Sequence, residues 1–209
     1  MRFSENNYTY ARSFNFNSEI PIETTVLGNW LLLESLIKTS KSDGAIAEIG
    51  AYKGGNSYLL LSAMKLWNDI RKYYIFDSFK GFSKFSVKDP MHLQDAYGYD
   101  YNLPRILNLF SIFKQCQIIE GFIPETFKKI DSSKKFSVVF FDCDLYQPAL
   151  DTYSFFWNRI EKGGIILIHD NIATKKGFSG VRKATEEYCN PRGIKFHDFW
   201  ETTMSVIFK

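Results

Sequence analysis

Residues able to do chemistry follow five short apolar runs of the sequence, in each case at the point where the run ends. They are Glu48 and Gly50, Asp77, Glu120 and Gly121, Asp142 and Asp144, and His169, Asp170 and Asn171. Carboxylates accept hydrogen bonds from hydroxyl groups and bind hard divalent cations, and histidine exchanges protons near neutral pH. The pattern therefore predicts a polar site, provided that the five runs lie side by side.

The five runs have the composition of strands that are buried on both faces of a parallel sheet. They span Ala45–Ile49, Tyr73–Phe76, Gln117–Ile119, Ser137–Phe141 and Ile165–Ile168. Apolar residues also recur at helical spacing over Pro21–Lys38, Tyr58–Met64, Leu103–Phe113, Pro148–Ile160 and Ser179–Tyr188. This alternation predicts an α/β fold with helices on both faces of the sheet, and such sheets bind ligands beyond the carboxyl ends of their strands.

The last segment of the chain departs from this alternation. Lys195–Phe199 and Met204–Phe208 are separated by Glu201-Thr202-Thr203, which predicts a closing antiparallel hairpin and a mostly parallel, seven-stranded sheet. The length of 209 residues fits a single domain. Within it we expect an N-terminal arm and leading helix over residues 1–44 and a ligand-binding α/β domain over residues 45–209.

Composition and charge exclude several classes of protein. The net charge is only +3 with both signs scattered, so nucleic acid is not an expected partner. The cysteines Cys116, Cys143 and Cys189 form no C-x-x-C pair, which argues against a disulfide framework or a zinc site. The N-terminus lacks an apolar leader core, and no stretch is long enough to span a membrane. We therefore expect a soluble, cytoplasmic protein.

The first run is followed by a glycine-containing loop that opens a helical segment, Gly50-Ala-Tyr-Lys-Gly-Gly-Asn-Ser57. Such a loop brings backbone N–H groups and the positive end of a helix dipole towards an anionic group. Tyr52 stands where a dinucleotide fingerprint has its second glycine, which disfavours NAD and FAD and favours a smaller anion such as an amino-acid carboxylate. Asp77 is the expected acceptor for two ribose hydroxyls. Both features fit S-adenosylmethionine, a nucleoside that carries an amino acid and no phosphates.

Four segments resemble successive signatures of the macrocin O-methyltransferase family. They are Asp77-Ser-Phe-Lys-Gly-Phe82, Gly121-Phe-Ile-Pro-Glu-Thr-Phe127, Asp142-Cys-Asp-Leu-Tyr146 and Gly163-Gly-Ile-Ile-Leu-Ile-His-Asp170. The resemblance extends from about Ala45 to Tyr188. It implies a Rossmann-like class I fold and an S-adenosylmethionine-dependent enzyme, with residues 45–209 as its methyltransferase domain. The implied acceptor is a sugar or glycoside hydroxyl of a secondary metabolite or of a surface polysaccharide precursor.

The resemblance also implies roles for individual residues. The glycine loop would hold the methionine end of the cofactor, Asp77 the ribose, and the third strand end the adenine. The expected cofactor-binding set is Glu48, Gly50, Tyr52, Gly54, Gly55, Asn56, Asp77, Ser78, Gly121, Phe122 and Asp142.

A magnesium site is implied at Asp142 and after the fifth strand. The family commonly has two acidic residues in succession where this chain has His169-Asp170, and a catechol-type set of Asp142, Asp170 and Asn171 is the alternative register. The candidate ligands are therefore Asp142, His169, Asp170 and Asn171. A hard cation held there would bind vicinal hydroxyls and lower their pKa. In the alternative without a metal, Asp142 and Asp144 divide two other tasks: one caps the next helix and the other binds the cofactor's amino group.

The candidate catalytic residues are Asp142, Asp144 and His169. Methyl transfer requires the acceptor oxygen in line with the sulfonium methyl group and a nearby base that takes the hydroxyl proton. Asp144 and His169 are both candidates for this base. We favour His169 from the sequence, because its ordinary pKa lies near the working pH.

Aromatic residues outside the motifs are candidates for the acceptor pocket or for contacts between subunits. In the long connection after the second strand, the residues expected to line the acceptor pocket, or else to pack or form an oligomer contact, are Tyr97, Tyr99 and Tyr101. The loop Lys175–Gly180 would close over the substrate or remain solvated. The N-terminal arm would cover the site or pack on a partner subunit of a homo-oligomer through Tyr8, Tyr10, Phe14 and Phe16.

Two other functions stay open from the sequence alone. A catechol-like small-molecule O-methyltransferase would present the same chemistry to a diol, and the changed position at His169 is compatible with a cofactor-binding scaffold that has lost its chemistry. A nicotinamide dehydrogenase is disfavoured by Tyr52 and by the lack of a Tyr-x-x-x-Lys pair placed for hydride chemistry.

Overall fold

The computed structural model describes residues 20, 22, 24–83, 85–90, 103–172 and 179–209. The α-helices in these ranges are α1 (Val26–Lys38), α2 (Gly55–Leu66), α3 (Leu103–Phe110), α4 (Tyr146–Phe156) and α5 (Ser179–Cys189). The strands are β1 (Ala45–Ile49), β2 (Tyr73–Asp77), β3 (Cys116–Glu120), β4 (Phe136–Phe141), β5 (Ile160–Ile168), β6 (His197–Phe199) and β7 (Met204–Phe208).

The seven strands form one sheet in the order β3-β2-β1-β4-β5-β7-β6. Strands β1 to β5 run parallel to one another, whereas β7 is antiparallel to both β5 and β6. The predicted α/β fold, with its mostly parallel sheet and closing antiparallel hairpin, is confirmed. The strand order reverses between β1 and β4, which is where doubly wound sheets bind their ligands.

Apolar layers cover both faces of the sheet. Helices α1, α2 and α3 pack on the face that carries Ile46 and Val138. Helices α4 and α5 pack on the opposite face, which carries Ala47 and Val139. Because successive strand residues point to opposite faces, both must be apolar here, and this explains the continuous apolar runs of the sequence.

Helix α1 begins at Val26 and not at Pro21. Thr25 is its N-cap, and the Thr25 hydroxyl oxygen accepts a hydrogen bond from the Gly28 N–H at 3.0 Å. A threonine at this position satisfies one of the backbone donors that the first turn of a helix leaves unpaired. The cap therefore fixes where the helix starts, and Thr25 itself faces the carboxyl ends of the strands.

The segment between α4 and β5 corrects the predicted helix Pro148–Ile160. Helix α4 ends at Phe156, a short 3-10 turn follows, and β5 already begins at Ile160. The cause is tertiary: Ile160 pairs with Phe136 of β4, and the Gly163 N–H donates to the carbonyl of Lys209 at 2.7 Å. Gly163 and Gly164 therefore lie within a strand.

The loop that follows β2 is fastened to the second helical layer by Asp89. Its Oδ1 accepts the Tyr146 N–H at 2.7 Å, at the first residue of α4, and its Oδ2 accepts the Ser86 N–H at 2.8 Å. The N-cap residue Leu145 offers this turn no side-chain hydrogen bond, so Asp89 caps α4 from a distant part of the chain. Gly180 allows this approach, because a Cβ there would lie 2.2 Å from Asp89 Oδ1.

Some of the sequence predictions fall outside the described residues. They concern Tyr8, Tyr10, Phe14, Phe16, Tyr97, Tyr99, Tyr101 and Lys175–Phe178. Among the described helices, none has both the length and the apolar character that crossing a membrane requires.

Glu48 is a carboxylic acid enclosed between the sheet and α2. Its Oε2 accepts hydrogen bonds from the hydroxyls of Ser57 and Tyr73, both at 2.5 Å, and its Oε1 has no hydrogen-bond partner. Burial raises the pKa of Glu48 from an ordinary 4.5 to about 7, although the two hydroxyl donors act in the opposite direction. At pH values between 4.5 and about 7, Glu48 in the native protein therefore keeps a proton that it has released in the unfolded chain.

We expect the substitution Glu48→Gln to remove a pH dependence of stability. As the pH rises from 4.5 to about 7, only the unfolded wild-type chain releases the proton, so its free energy of unfolding falls by about 3 kcal/mol in total. Denaturation at about pH 5 and about pH 8 should show the variant gaining roughly 2 to 3 kcal/mol relative to the wild type. Glu125→Gln, at an exposed position, is the matched control. An equal difference at both pH values would contradict the prediction.

Candidate active site

A cavity of about 370 Å³ lies at the carboxyl ends of the parallel strands, where the strand order reverses. This volume is within the range of sites that hold one small molecule. Its wall is built from the loops that follow β1, β2, β3, β4 and β5, and from two threonines that precede α1 and β7.

Most of the predicted site residues meet at this cavity. Those that line it are Gly50, Tyr52, Asn56, Asp77, Ser78, Gly121, Phe122, Asp142, Asp144, His169 and Asp170. The strand ends that are separated in the sequence are thus brought to one edge of the sheet.

Four predicted residues lie outside the cavity wall. Glu48 points to the face of β1 opposite to that of its neighbour Ile49, which lines the cavity. From within the core, Glu48 accepts hydrogen bonds from Tyr73 and from Ser57 at the end of the glycine loop. Gly54 is the N-cap of α2 and Gly55 its first residue. Asn171 is fully buried, and its Nδ2 donates to the hydroxyl of Ser205 at 2.7 Å. The structure therefore gives Glu48 and Asn171 supporting positions.

The cavity wall also contains residues that are not among the predicted catalytic, cofactor-binding or metal-binding residues. They are Thr25, Phe76, Ile49, Ala51, Gly81, Phe82, Ser83, Ile123, Cys143, Leu145, Pro148 and Thr203. Thr25 could have been found, because a threonine before an apolar helical pattern marks an N-cap. Thr203 carries no such signal, since only the pairing of β7 with β5 brings it to this edge.

The cavity depends on a close approach between the ends of β1 and β4. Gly50 has φ +84°, and a Cβ built on it would lie 1.9 Å from the carbonyl oxygen of Asp142. The Gly50 N–H donates to the carbonyl of Phe76 at 2.8 Å, and the Asp142 N–H donates to the carbonyl of Ile49 at 2.8 Å. Only glycine fits this position, because it has both the required backbone conformation and no side chain.

Asp77 joins the loops that follow β1 and β2. Its Oδ2 accepts the N–H groups of Ala51 and Tyr52 at 2.7 and 2.8 Å, and its Oδ1 accepts the N–H of Phe79 at 2.7 Å. A carboxylate has about four acceptor positions. The three N–H groups occupy three of them, so about one position remains for a ribose hydroxyl. Burial raises the pKa of Asp77, and the three backbone donors oppose this shift.

His169 lies between two carboxylates at the other end of the cavity. Its Nδ1 is 2.8 Å from Asp142 Oδ1 and 3.4 Å from Asp170 Oδ2, while its Nε2 is 3.1 Å from the hydroxyl oxygen of Thr203. The backbone N–H of His169 donates to the backbone carbonyl of Phe141, which fixes the ends of β4 and β5 in register. Both ring nitrogens are therefore engaged.

The carboxylates at this end change the proton affinities of their neighbours. Burial opposes protonation of His169, but the charges of Asp142 and Asp170 and their hydrogen bonds more than offset it and hold the pKa of His169 well above its usual value. Burial, together with the nearby charges of Asp142 and Asp170, raises the pKa of Asp144. The electrostatics therefore favour a positive charge on or near the His169 ring.

A family model matches the chain over nearly all of the described fold. The model is that of macrocin-O-methyltransferase (TylF), and it matches residues 31–209. The chain belongs to the macrocin-O-methyltransferase family. It is therefore an S-adenosylmethionine-dependent methyltransferase, and the resemblance drawn from the four sequence motifs is confirmed.

Solved structures share the Rossmann-like class I fold of this macrocin-O-methyltransferase family member. The O-methyltransferase NovP has a TM-score of 0.69 at 15% identity, covering 88% of this chain and 80% of its own. CalS11, the TDP-rhamnose 3'-O-methyltransferase of calicheamicin biosynthesis, has a TM-score of 0.64 at 18% identity, and the match covers 100% of this chain and 96% of CalS11. SAH-bound PaMTH1 of Podospora anserina has a TM-score of 0.61 at 12% identity, and the match covers 98% of this chain and 86% of PaMTH1. A search of the curated proteins found no sequence match.

Three donor groups converge in a way that fits a divalent cation. Ligand atoms of Asp142, His169 and Asp170 all lie within 4.8 Å of one another. Carboxylate oxygens suit Mg²⁺ and Mn²⁺, whereas an imidazole nitrogen suits transition metals, so this donor set matches Mn²⁺ at least as well as Mg²⁺. Asn171 is not in the cavity wall, and its amide nitrogen is held by Ser205.

We expect Asp77→Asn to weaken binding of S-adenosylmethionine about tenfold or more, because an amide cannot accept on both of its terminal atoms and hydrogen bonds to charged groups contribute about 1.5 to 3 kcal/mol. Calorimetric titration with S-adenosylmethionine measures the effect. The matched control is Asp131→Asn, which removes an exposed carboxylate that accepts hydrogen bonds from Ser133 of its own turn. Equal affinities of Asp77→Asn and the wild type would show that Asp77 does not support the cofactor.

Proposed function

We propose that the protein transfers a methyl group from S-adenosylmethionine to a hydroxyl of a sugar or glycoside, with a divalent cation held by Asp142, His169 and Asp170. The observation that carries this proposal is the division of one cavity into two chemically different ends. One end offers backbone donors and a carboxylate that suit a nucleoside. The other gathers three acidic groups and an imidazole, which suit a polyhydroxyl acceptor.

The first end has features that suit the cofactor. The loop after β1 brings the first turn of α2 to the cavity, where the backbone donors of that turn and the helix dipole favour a carboxylate. The N–H groups of Gly50 and Tyr52 are already bonded to Phe76 and Asp77. Asp77 is already oriented by three N–H groups, so ribose binding requires no reorganisation of its side chain. Phe122, which is partly exposed at the cavity wall, offers a ring face for the adenine.

The second end would orient and activate the acceptor. A divalent cation bound by the Asp142, His169 and Asp170 donors would lower the pKa of a coordinated hydroxyl and fix its position. The protein's own contribution is to hold the donors in place: Asp142 through the end of β4, and His169 through the end of β5. The family commonly has two acidic residues where this chain has His169-Asp170, so we include Mn²⁺ beside Mg²⁺ as a candidate.

Asp144 is the base in this proposal. His169 has both ring nitrogens engaged by Asp142, Asp170 and Thr203, which leaves it no free acceptor towards the cavity. Asp144 lines the cavity and its pKa is raised by burial, which makes its carboxylate a stronger base. The acceptor oxygen forms a bond to the methyl carbon as the S–C bond breaks, the electron pair stays on sulfur, and the hydroxyl proton passes to Asp144.

A sugar acceptor is supported by the wall that faces these groups. Phe82 presents an aromatic side chain, which can stack on the apolar face of a sugar ring, in a cavity whose carboxylates accept from hydroxyls. CalS11, which shares the fold, is described as a TDP-rhamnose 3'-O-methyltransferase. The proposal includes a cytoplasmic protein, in keeping with cysteines that are free among the described residues, and assembly as a homo-oligomer.

Chelation should abolish turnover if a divalent cation assists the reaction. With excess EDTA, or in Asp142→Asn, we expect kcat to fall by about 100-fold or more, because the hydroxyl then keeps its ordinary pKa. Added Mg²⁺ or Mn²⁺ should restore the chelated wild type and leave the variant inactive, and Asp131→Asn is the control. Full methyl transfer in excess chelator, together with unchanged activity of Asp142→Ala, would contradict metal assistance.

A panel of acceptors tests the substrate class. We expect S-adenosylhomocysteine to form with nucleotide-linked deoxysugars or simple glycosides and not with catechols, because the three carboxylates at one end of the cavity suit a ligand with more hydroxyls than the two of a catechol. Turnover is measured as S-adenosylhomocysteine released in the presence of each metal. Preference for catechols would support the catechol-like alternative, and cofactor binding without turnover on any acceptor would support a scaffold.

A further inference from the structure

Thr203 holds a backbone conformation that is unfavourable for threonine. It lies between the 3-10 turn Trp200–Thr202 and β7, with φ +58° and ψ 4°. The left-handed region is uncommon for residues other than glycine and is least suited to β-branched side chains. Glycine or asparagine would be the ordinary choice for this turn, so the threonine needs another explanation.

Three other hydrogen bonds fix the turn around Thr203. The Asn171 N–H donates to the carbonyl of Thr203 at 3.1 Å, which ties the turn to the end of β5. The Thr202 hydroxyl donates to the carbonyl of Phe199 at 2.7 Å and accepts from the Met204 N–H at 3.0 Å. None of these three bonds uses the Thr203 hydroxyl, so they hold the turn independently of it.

The Thr203 hydroxyl is directed at the cavity and at His169. It is 2.6 Å from the carbonyl of Thr202 and 3.1 Å from His169 Nε2. A carbonyl can only accept, so the single hydroxyl proton is donated to Thr202. The Thr203 oxygen must then accept from His169, which places a proton on Nε2.

This assignment determines what the rest of the ring presents. With Nε2 protonated, Nδ1 is the nitrogen that faces Asp142 Oδ1 at 2.8 Å and Asp170 Oδ2 at 3.4 Å. A bare nitrogen lone pair would repel both carboxylates. The position between them is therefore reserved for a positive centre, either a proton on Nδ1 or a bound cation.

We propose that Thr203 is a positioning residue that accepts the Nε2–H of His169 and thereby directs Nδ1 at Asp142 and Asp170. The effect on turnover rests on the function proposed above, whereas the ring orientation is a property of the free protein. Outer partners of this kind commonly orient a ligating histidine and set its tautomer. The unfavourable backbone conformation of Thr203 is the cost of placing a hydroxyl at this point.

Three substitutions distinguish the effect of the Thr203 hydroxyl from the effect of its backbone conformation. Thr203→Val keeps the shape and the β-branch and removes the hydroxyl, and Thr203→Ser keeps the hydroxyl. Thr203→Gly removes the hydroxyl but relieves the left-handed conformation, so we expect its melting temperature to be equal to or above that of the wild type. A merely structural threonine would predict that the glycine variant retains full function.

The first readout is NMR of the free protein with isotope-labelled histidine. The chain has only three histidines, so the spectrum is simple, and His169→Gln assigns the resonance. We expect a slowly exchanging Nε2–H for His169 in the wild type and in Thr203→Ser. The signal should be lost or exchange rapidly in Thr203→Val and Thr203→Gly, because no acceptor then holds the proton.

The second readout is metal affinity and turnover. Thr203→Val and Thr203→Gly should bind Mn²⁺ about 10- to 100-fold more weakly and lose kcat by a similar factor, whereas the affinity for S-adenosylmethionine stays the same. Thr203→Ser should recover most of both losses. Mn²⁺ binding is measured by calorimetry, independently of any acceptor.

The outcomes distinguish this proposal from the proposed function. A protected Nε2–H in Thr203→Val, or full Mn²⁺ affinity and turnover in Thr203→Gly, would overturn the positioning role. The expected NMR pattern in a protein that methylates no acceptor would support the positioning role while the proposed function fails.

Discussion

The whole site depends on the contact between the ends of β1 and β4, where the backbone of Gly50 meets the carbonyl of Asp142. A side chain at this position would separate the two strands at the point where the strand order reverses. The separation would move the loop after β1, which holds Asp77 through its N–H groups, away from the loop after β4, which carries Asp142 and Asp144. The two ends of the cavity share one wall because these strands touch, and a methyl group can pass between two ligands only if such a wall brings them together.

Gathering acidic groups in one cavity is electrostatically unfavourable, and the chain offsets the cost in a different way for each group. Asp77 accepts three backbone N–H groups, which act as fixed partial positive charges. Asp142 and Asp170 share the ring of His169, which responds with a raised pKa. Burial and the charges of Asp142 and Asp170 raise the pKa of Asp144, although His169 acts in the opposite direction. The raised pKa suits the Asp144 carboxylate to take a proton.

The sequence predicts this site well wherever function follows from the end of a strand, and poorly wherever it follows from the direction of a side chain. Continuous apolar runs identify Asp77, Asp142 and Asp170, because parallel strands end at one edge. The same runs hide which face a residue occupies: Glu48 is two positions from Gly50 yet lies in the core with Ser57 and Tyr73. Thr203 could not be predicted, since its place beside His169 results from the register of β7 against β5. The helix predicted to reach Ile160 failed for the same reason, because pairing with β4 outweighed the local pattern.

Backbone strain is concentrated around the cavity. Among the described residues other than glycine, those with positive φ include Tyr52, Asp144, Asp170 and Thr203, all in the cavity wall. Each such conformation costs about 1 to 3 kcal/mol and persists only where other contacts hold it. Here the contacts are visible: Asp77 accepts the N–H of Tyr52, and His169 lies against both Asp170 and Thr203. Glycine would relieve the strain at each of these positions but would remove the side chain from the cavity wall. Two of these side chains, Asp170 and Thr203, contact the ring of His169.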